Sequence, residues 1–430
     1  MNLRPRQISP VILISACLLA GGCQPQSEPN VDAPLSGEQV TILGTLTGVA
    51  EEKLEAALEP FTAKTGIEVV YEGTDAFTTL IPVRVDSNNT PDIALFPQPG
   101  LMADFAAEGQ MVPLDSFMDM DQLAAAYDDY WLELTSLDGH PYGVWIRADV
   151  KSLVWYNPAA FAAAGYGVPT DWQGLEALMD QIVADGGTPW CLGMESGKAT
   201  GWVGTDWVEE LLLRMAGPEV YDRWVAHEIP FNAPEVKAAF EQFGAIARSP
   251  DYVYGGATSA ISTPFGDAPR PLFDQPPGCY LHRQASFIEE FFPASAVPAE
   301  TVSLFPLPAM DEGPAPVLVS GIVFGLFNDT PAARALMEYL ATPEPHEIWA
   351  GLGSYISPHR QVGLDAYPDV LTQRQAEILQ NAEVVRFDGS DLMPGAVGTG
   401  SFWSGVVDYV GGEDLDQVLA DIEASWPTEE

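Results

Sequence analysis

Between residues 39 and 98 the chain alternates short apolar runs with amphipathic ones, and this rhythm restricts it to folds built on a largely parallel sheet. Val40-Thr41-Ile42-Leu43 is strand-like, Val49 to Thr65 is helical with Leu54, Leu58 and Phe61 on one face, and Ile67, Val69 and Tyr71 alternate as a strand. A helix from about Phe77 to Val85 follows, then Ile93-Ala94-Leu95-Phe96, a buried strand ended by Pro97 and Pro99. Strand–helix alternation implies parallel pairing, with ligands beyond the carboxyl ends of the strands. Those ends carry Thr45-Leu46-Thr47, Glu72-Gly73-Thr74 and Phe96-Pro97-Gln98.

Val144 to Trp155 gives two strand-like runs, after which the pattern turns mainly helical: Leu175 to Ala184, Trp207 to Met215 and Pro234 to Ala247. Ser249 to Gly278, rich in Pro and Gly, reads as an ordered surface loop pinned by Cys279. Val302 to Leu307 and Val317 to Phe327 are strand-like, Ala332 to Leu340 and Glu344 to Ala350 helical, and a helical tail begins near Asp369. The 430 residues allow about two domains. There is no internal repeat.

The N-terminal end carries an address. Arg4 and Arg6 precede an apolar stretch from Val11 to Ala20, and Leu19-Ala20-Gly21-Gly22-Cys23 reads as a lipoprotein cleavage site. The stretch is too short for a bilayer core of about 30 Å. Residues 1–22 are therefore expected to be a signal peptide and Cys23 the lipidated residue. Residues 23–38, rich in Pro, Ser, Gln and Asn, are expected to be a flexible tether. The protein is expected on the outer face of the cell membrane or in the periplasm, held to the membrane by lipid alone.

Of four cysteines, Cys17 leaves with the leader and Cys23 takes lipid, so Cys191 and Cys279 remain to pair in an oxidising compartment. Such a crosslink is worth about 4–5 kcal/mol by chain entropy. Neither sits in a metal-type spacing, and no metal or cofactor is expected. The net charge is −43, and loss of Arg4 and Arg6 takes it to −45. Nucleic acid and anionic membrane surfaces are repelled by such a body. The acids are scattered, as on a solvated face adapted to salt or acid.

No hydrolytic motif is legible: there is no GxSxG, and the five histidines make no HExxH. The run Met194 to Ala199 resembles a phosphate loop but has Leu192 in place of the first glycine and Ala199 in place of Ser/Thr. Aromatic residues beside polar ones say more. Thr188 to Trp207 sets Trp190, Trp202 and Trp207 around Glu195 and Asp206, with a helix start expected near Thr205. Sugars suit such loops, because the C–H face of a pyranose stacks on an indole while its hydroxyls bond to carboxylates and amides. Core packing competes as an account of these tryptophans, most strongly for Trp207. A second cluster, Gly398-Thr399-Gly400-Ser401-Phe402-Trp403, places an aromatic at a helix start.

These segments carry a family resemblance. The stretches TPWCLGMESGKATGW, AGPEVYDRWVAHEIPFN, CYLHRQASFI and PDIALFPQPGLMADF make the chain similar to the substrate-binding proteins of ABC sugar importers, of the α-glucoside and maltose type. The resemblance implies an α/β, periplasmic-binding-protein-like fold of two lobes joined by a three-segment hinge. Lobe 1 is expected over 39–150 plus 308–356 and lobe 2 over 153–301 plus 362–430. The hinge is expected near 149–152, 302–307 and 357–361.

By the same resemblance Trp403, in Gly-Ser-Phe-Trp, stacks on sugar with Trp202 and Tyr355, while Glu195, Asp206, Gln98 and Arg283 bind hydroxyls. Thr45, Thr47, Glu72, His282 and Gly321 complete the expected substrate-binding set. Val407 stands where the maltose branch has an arginine, so hydroxyl recognition there must differ. The implied activity is capture of a carbohydrate, an α-glucoside by preference, by a monomer that docks on an importer permease and is not itself an enzyme. The alternatives are an exported glycosidase or lyase, and a binder of a non-sugar solute such as a polyamine.

Overall fold

The computed structural model describes residues 34–310 and 313–427, so the leader and Cys23 lie outside the described residues. The early alternation folds as β1 (Gln39–Gly44), α1 (Val49–Thr65), β2 (Glu68–Gly73), α2 (Phe77–Asp86), β3 (Ile93–Phe96) and α3 (Pro99–Ala107). β1 pairs in parallel with both β2 and β3. Later elements are β4 (Gly143–Val150), β5 (Leu153–Tyr156), α4 (Trp202–Ala216), β6 (Leu281–Arg283), β7 (Ser303–Pro306), β8 (Val317–Leu326), β9 (Val385–Phe387), α5 (Gly389–Leu392) and α6 (Trp403–Gly411).

β8 is the spine of the first sheet. Its second half pairs antiparallel with β3, its start pairs in parallel with β9, and its other edge runs antiparallel to β4. Both β4 and β8 are buried along their whole length, which fits their apolar composition. They lie so close at Gly321 that a Cβ there would come 2.6 Å from the Arg147 carbonyl oxygen. Only glycine permits that approach.

A second sheet, β6–β5–β7, is antiparallel throughout. Because side chains alternate across a strand, it serves two cores at once. Leu153, Trp155 and Leu304 join the first core, whereas Val154, Leu281 and Phe305 join the second. The first core also holds the buried face of α1, and the second that of α4. The molecule is thus two lobes that share a thin sheet.

The third passage between lobes departs from expectation. Val362, Tyr367, Leu371, Ala376 and Phe387 pack in the first core, and β9 extends the first sheet. Met393, Val397 and Phe402 join the second core. The chain therefore changes core beside Asp388, and 362–387 packs with lobe 1, where β9 pairs beside β8 and the Phe387 ring meets Trp131 and Trp145. The stretch 249–278 is also more regular than a loop, with a helix at Gly256–Ser262 and a 3-10 turn at Arg270–Phe273. Cys191 and Cys279 are bonded, closing a separation of 88 residues beside buried Leu272. No helix among the described residues is long and apolar enough to cross a membrane.

Candidate functional site

A cavity of about 410 Å³ opens between the two cores. Its first wall is the carboxyl ends of the parallel strands: Thr45, Leu46 and Thr47 after β1, and Pro97 and Gln98 after β3. β4 and the passage after it give Arg147, Asp149 and Lys151, and β8 gives Ser320, Gly321 and Ile322. Trp202, Phe265, Phe287 and Phe291 form an aromatic wall, and Asp388, which caps α5, Asp391 on α5 and Trp403 on α6 line the same space. Asp75 and Glu290 also line the space.

Local sequence explains the arrangement. Arg147 and Asp149 are two apart on β4, so both side chains leave the same face, and Arg147 Nε donates to Asp149 Oδ1 at 3.1 Å. The Arg147 guanidinium lies 6.0 Å from the Phe287 ring centre. The Trp202 ring meets Phe265 edge-on at 5.2 Å and Phe287 at 5.8 Å. Trp403 follows a π-helical turn at Ala396–Phe402, a rarity that recurs at functional sites. Gly201, at φ 117°, seats the start of α4 against it, since a Cβ there would fall 2.1 Å from the Trp403 carbonyl oxygen.

The floor is ionic. Lys151 Nζ donates to Asp206 Oδ1 at 2.8 Å and to Asp388, and lies 5.6 Å from the Trp202 ring centre. Burial works against the Lys151 charge, but Asp206 and Asp388 outweigh it and raise its pKa. Burial raises Asp206 to about 7 against the pull of Lys151. Asp391 is pushed up by burial and by the Asp388 charge. Burial likewise raises Asp149, with Arg147 opposing it. Arg283 bridges Asp206 at 3.3 Å and Glu210 at 2.9 Å, and Arg214 pairs with Glu210.

Of the sequence-derived set, Thr45, Thr47, Gln98, Trp202, Gly321 and Trp403 line the cavity. The others are placed elsewhere. Glu72 points outward from the edge strand β2 and pairs with Arg84 at 2.5 Å. Glu195 turns back to accept the Gly197 N–H at 2.8 Å. Asp206 is in the second turn of α4 rather than at its start, because the helix opens at Trp202, and it is wholly buried beneath the floor. Arg283 is locked there with it.

His282 donates Nδ1–H to the Cys191 carbonyl at 2.8 Å, and burial lowers it to about 4. Tyr355 is buried in lobe 1, stacked on Trp349 at 4.9 Å and donating to the Ile146 carbonyl at 2.5 Å. Trp190 and Trp207 fill the second core, edge to face at 5.0 Å.

Sequence reasoning missed Arg147, Asp149 and Lys151 as cavity residues, and Phe265, Phe287 and Phe291 as a wall. The first three had a signal: three charges at strand spacing at the end of an otherwise apolar run, Gly143 to Lys151. The phenylalanines had none, since Phe265 comes from a loop while Phe287 and Phe291 come from the 3-10 helix Ser286–Phe291, and no local pattern joins them. Among the described residues no group of three or more His, Cys, Asp or Glu is arranged to hold a metal ion.

Comparison with known proteins bears on this geometry. Residues 44–347 match the family described as bacterial extracellular solute-binding protein. The osmoprotective compounds-binding protein GgtB of Synechocystis sp. is 56% identical over 416 residues, 96% of this chain and 98% of that protein. The alpha-glucosides-binding periplasmic protein AglE of Rhizobium meliloti is 43% identical over 403 residues, 91% of this chain and 88% of that one. Among solved structures, the fold is shared with the receptor AcbH, described as preferring β-D-galactopyranose. There the TM-score is 0.78 at 18% identity, over 90% of this chain and 98% of that one. A chitin oligosaccharide binding protein gives a TM-score of 0.76 at 16% identity, over 91% of this chain and 98% of that one.

Proposed function

Because this chain belongs to the bacterial extracellular solute-binding proteins, we propose that its cleft captures a small sugar, an α-glucoside or a related osmoprotective solute, for an ABC importer. The observation that carries this is that the rings of Trp202, Phe265 and Phe287 line one cavity together with the carboxylates of Asp149, Asp388 and Asp391. Rings stack on the C–H face of a pyranose, and carboxylates accept from its hydroxyls. A volume of about 410 Å³ lies toward the small end of ligand pockets, roughly 300–1,000 Å³, and suits a ligand of one or two rings. The names of GgtB and AglE point the same way.

Closure follows from the layout. Thr45, Gln98 and Arg147 stand on lobe 1, Trp202 and Trp403 on lobe 2, so a ligand touching both favours the closed arrangement by its differential contacts. The closed monomer presents the bound sugar, unchanged, to the permease. Cys23 carries the lipid that holds the protein at the outer face of the cell membrane, and a Cys23→Ser protein is expected in the soluble fraction.

Calorimetry of the purified protein against glucose, sucrose, trehalose, maltose and maltotetraose tests the proposal, with chromatography of the recovered ligand. Saturable binding of a short α-glucoside and its intact recovery are expected. Binding of no saccharide, or turnover of one, would overturn it.

A further inference from the structure

We propose that Arg147 is the specificity-determining residue of the cleft, forming with Gln98 and Trp403 a three-point template for the hydroxyls of a compact, uncharged glycoside. This rests on the sugar-binding reading above. Arg147, Gln98 and Trp403 are 2%, 7% and 4% exposed. Yet Arg147 Nη2, Gln98 Oε1 and Trp403 Nε1 have no hydrogen-bond partner among the described residues. Buried polar atoms without partners are scarce and costly, and here three of them belong to residues lining one cavity.

Two of the atoms are donors and one an acceptor. Hydroxyl groups, which both give and take, satisfy all three with a single functional group. The Gln98 side chain stands against Asp391 and opposes the rise of that carboxyl's pKa.

Arg147 is the rigid member. Its Nε is held by Asp149 at 3.1 Å and its plane sits beside the Phe287 ring, while β4 is pressed against Gly321. Asp149 and Glu290 keep it charged although burial opposes the charge. A donor fixed in this way discriminates by position, because a ligand lacking the matching hydroxyl leaves a buried N–H unpaired.

The ligand's lack of charge follows from the lining. Asp75, Asp149, Glu290, Asp388 and Asp391 face the cavity, and its two cations, Arg147 and Lys151, already have carboxylate partners. Even with Asp391 protonated, the lining carries more carboxylates than cations, so a uronate or phosphate ester would be repelled.

The test is calorimetry of the full chain and its Arg147→Lys variant, which keeps the charge beside Asp149 but loses the planar fork. The probes are the tightest binder among glucose, sucrose, trehalose and maltose, its monodeoxy forms and its uronic acid counterpart. Wild-type protein is expected to bind at least one monodeoxy form about 10- to 100-fold more weakly than the parent, the span of a hydrogen bond to a charged group. Arg147→Lys should lose a similar factor for the parent and no more for that deoxy form. An Arg147→Met/Asp149→Leu double variant, with neither charge left buried, should repeat the loss at a near-native unfolding midpoint.

Parent affinity unchanged in Arg147→Lys, or a uronic acid bound as tightly as the parent, overturns the assignment while leaving sugar binding intact. Wild-type protein that binds none of the four sugars overturns both.

Discussion

The Lys151 ammonium lies 5.6 Å from the centre of the Trp202 ring while it bonds to Asp206 and Asp388. Lys151 stands in the passage from β4 to β5, Asp206 on α4, and Asp388 where the chain last changes core. One side chain therefore ties two interlobe passages, a helix of lobe 2 and the aromatic wall together. The ties are buried, so their worth shows when one partner is removed.

Lys151→Met is expected to lower stability by about 3–5 kcal/mol, because it leaves Asp388 buried without its cation and Asp206 with Arg283 alone. Urea unfolding measures this. Ligand affinity should fall as well, since Trp202 loses the charge that sits against it. A midpoint within error of the wild type would show that the carboxylates find water or protons at no cost.

Gly201 is expected to tolerate no side chain. Its φ of 117° and a Cβ position 2.1 Å from the Trp403 carbonyl oxygen make two independent objections to alanine. Strain alone is of order 1–3 kcal/mol, and the clash adds displacement of Trp403. Gly201→Ala should lower the thermal midpoint and blunt any tryptophan fluorescence change on adding ligand, whereas Gly197→Ala, at φ 57° but with nothing within 4 Å of its Cβ position, carries backbone strain without the clash and should leave the fluorescence response intact.

The sequence made the first sheet and the strand-end half of the cavity legible, because both follow from local periodicity. Thr45 and Gln98 fall at the ends of β1 and β3 as parallel pairing requires. Glu72 ends a parallel strand too, but β2 is an edge strand, and its alternation turns the carboxylate to solvent. Asp206, Arg283 and Tyr355 carry the right chemistry for sugar, yet they are buried by tertiary packing that no window of sequence reports. Phe265 and Phe287 meet only because a loop and a 3-10 turn converge on Trp202.

The Cys191–Cys279 bond closes 88 residues, including α4 and much of the second core. Constraining so long a loop in the unfolded chain is worth about 4–5 kcal/mol. Reduction, or a Cys191→Ser/Cys279→Ser pair, should lower the stability by that order in urea unfolding. Neither cysteine lines the cavity, so ligand affinity measured well below the transition should be unchanged. An equal affinity with an equal midpoint would show that packing around Leu272 does the work alone.

Glu289 gives a pH signature. Its carboxyl, accepting from Gln375 at 2.6 Å and Ser354 at 3.4 Å, is raised from its ordinary value to about 8 by burial, with the Asp369 charge adding. The folded state therefore holds a proton that the unfolded chain releases at about 4.3. The stability this group contributes is fully present below the unfolded value and is lost as pH rises through about 8. Glu289→Gln stays neutral at every pH and keeps an oxygen for Gln375 and Ser354. It should match the wild type near pH 4 and exceed it by a few kcal/mol at pH 9. The comparison at each pH cancels the repulsion of a chain with net charge −43, which both proteins share almost equally. A stability gap that does not widen between these pH values would mean that Glu289 is ionised in the folded protein.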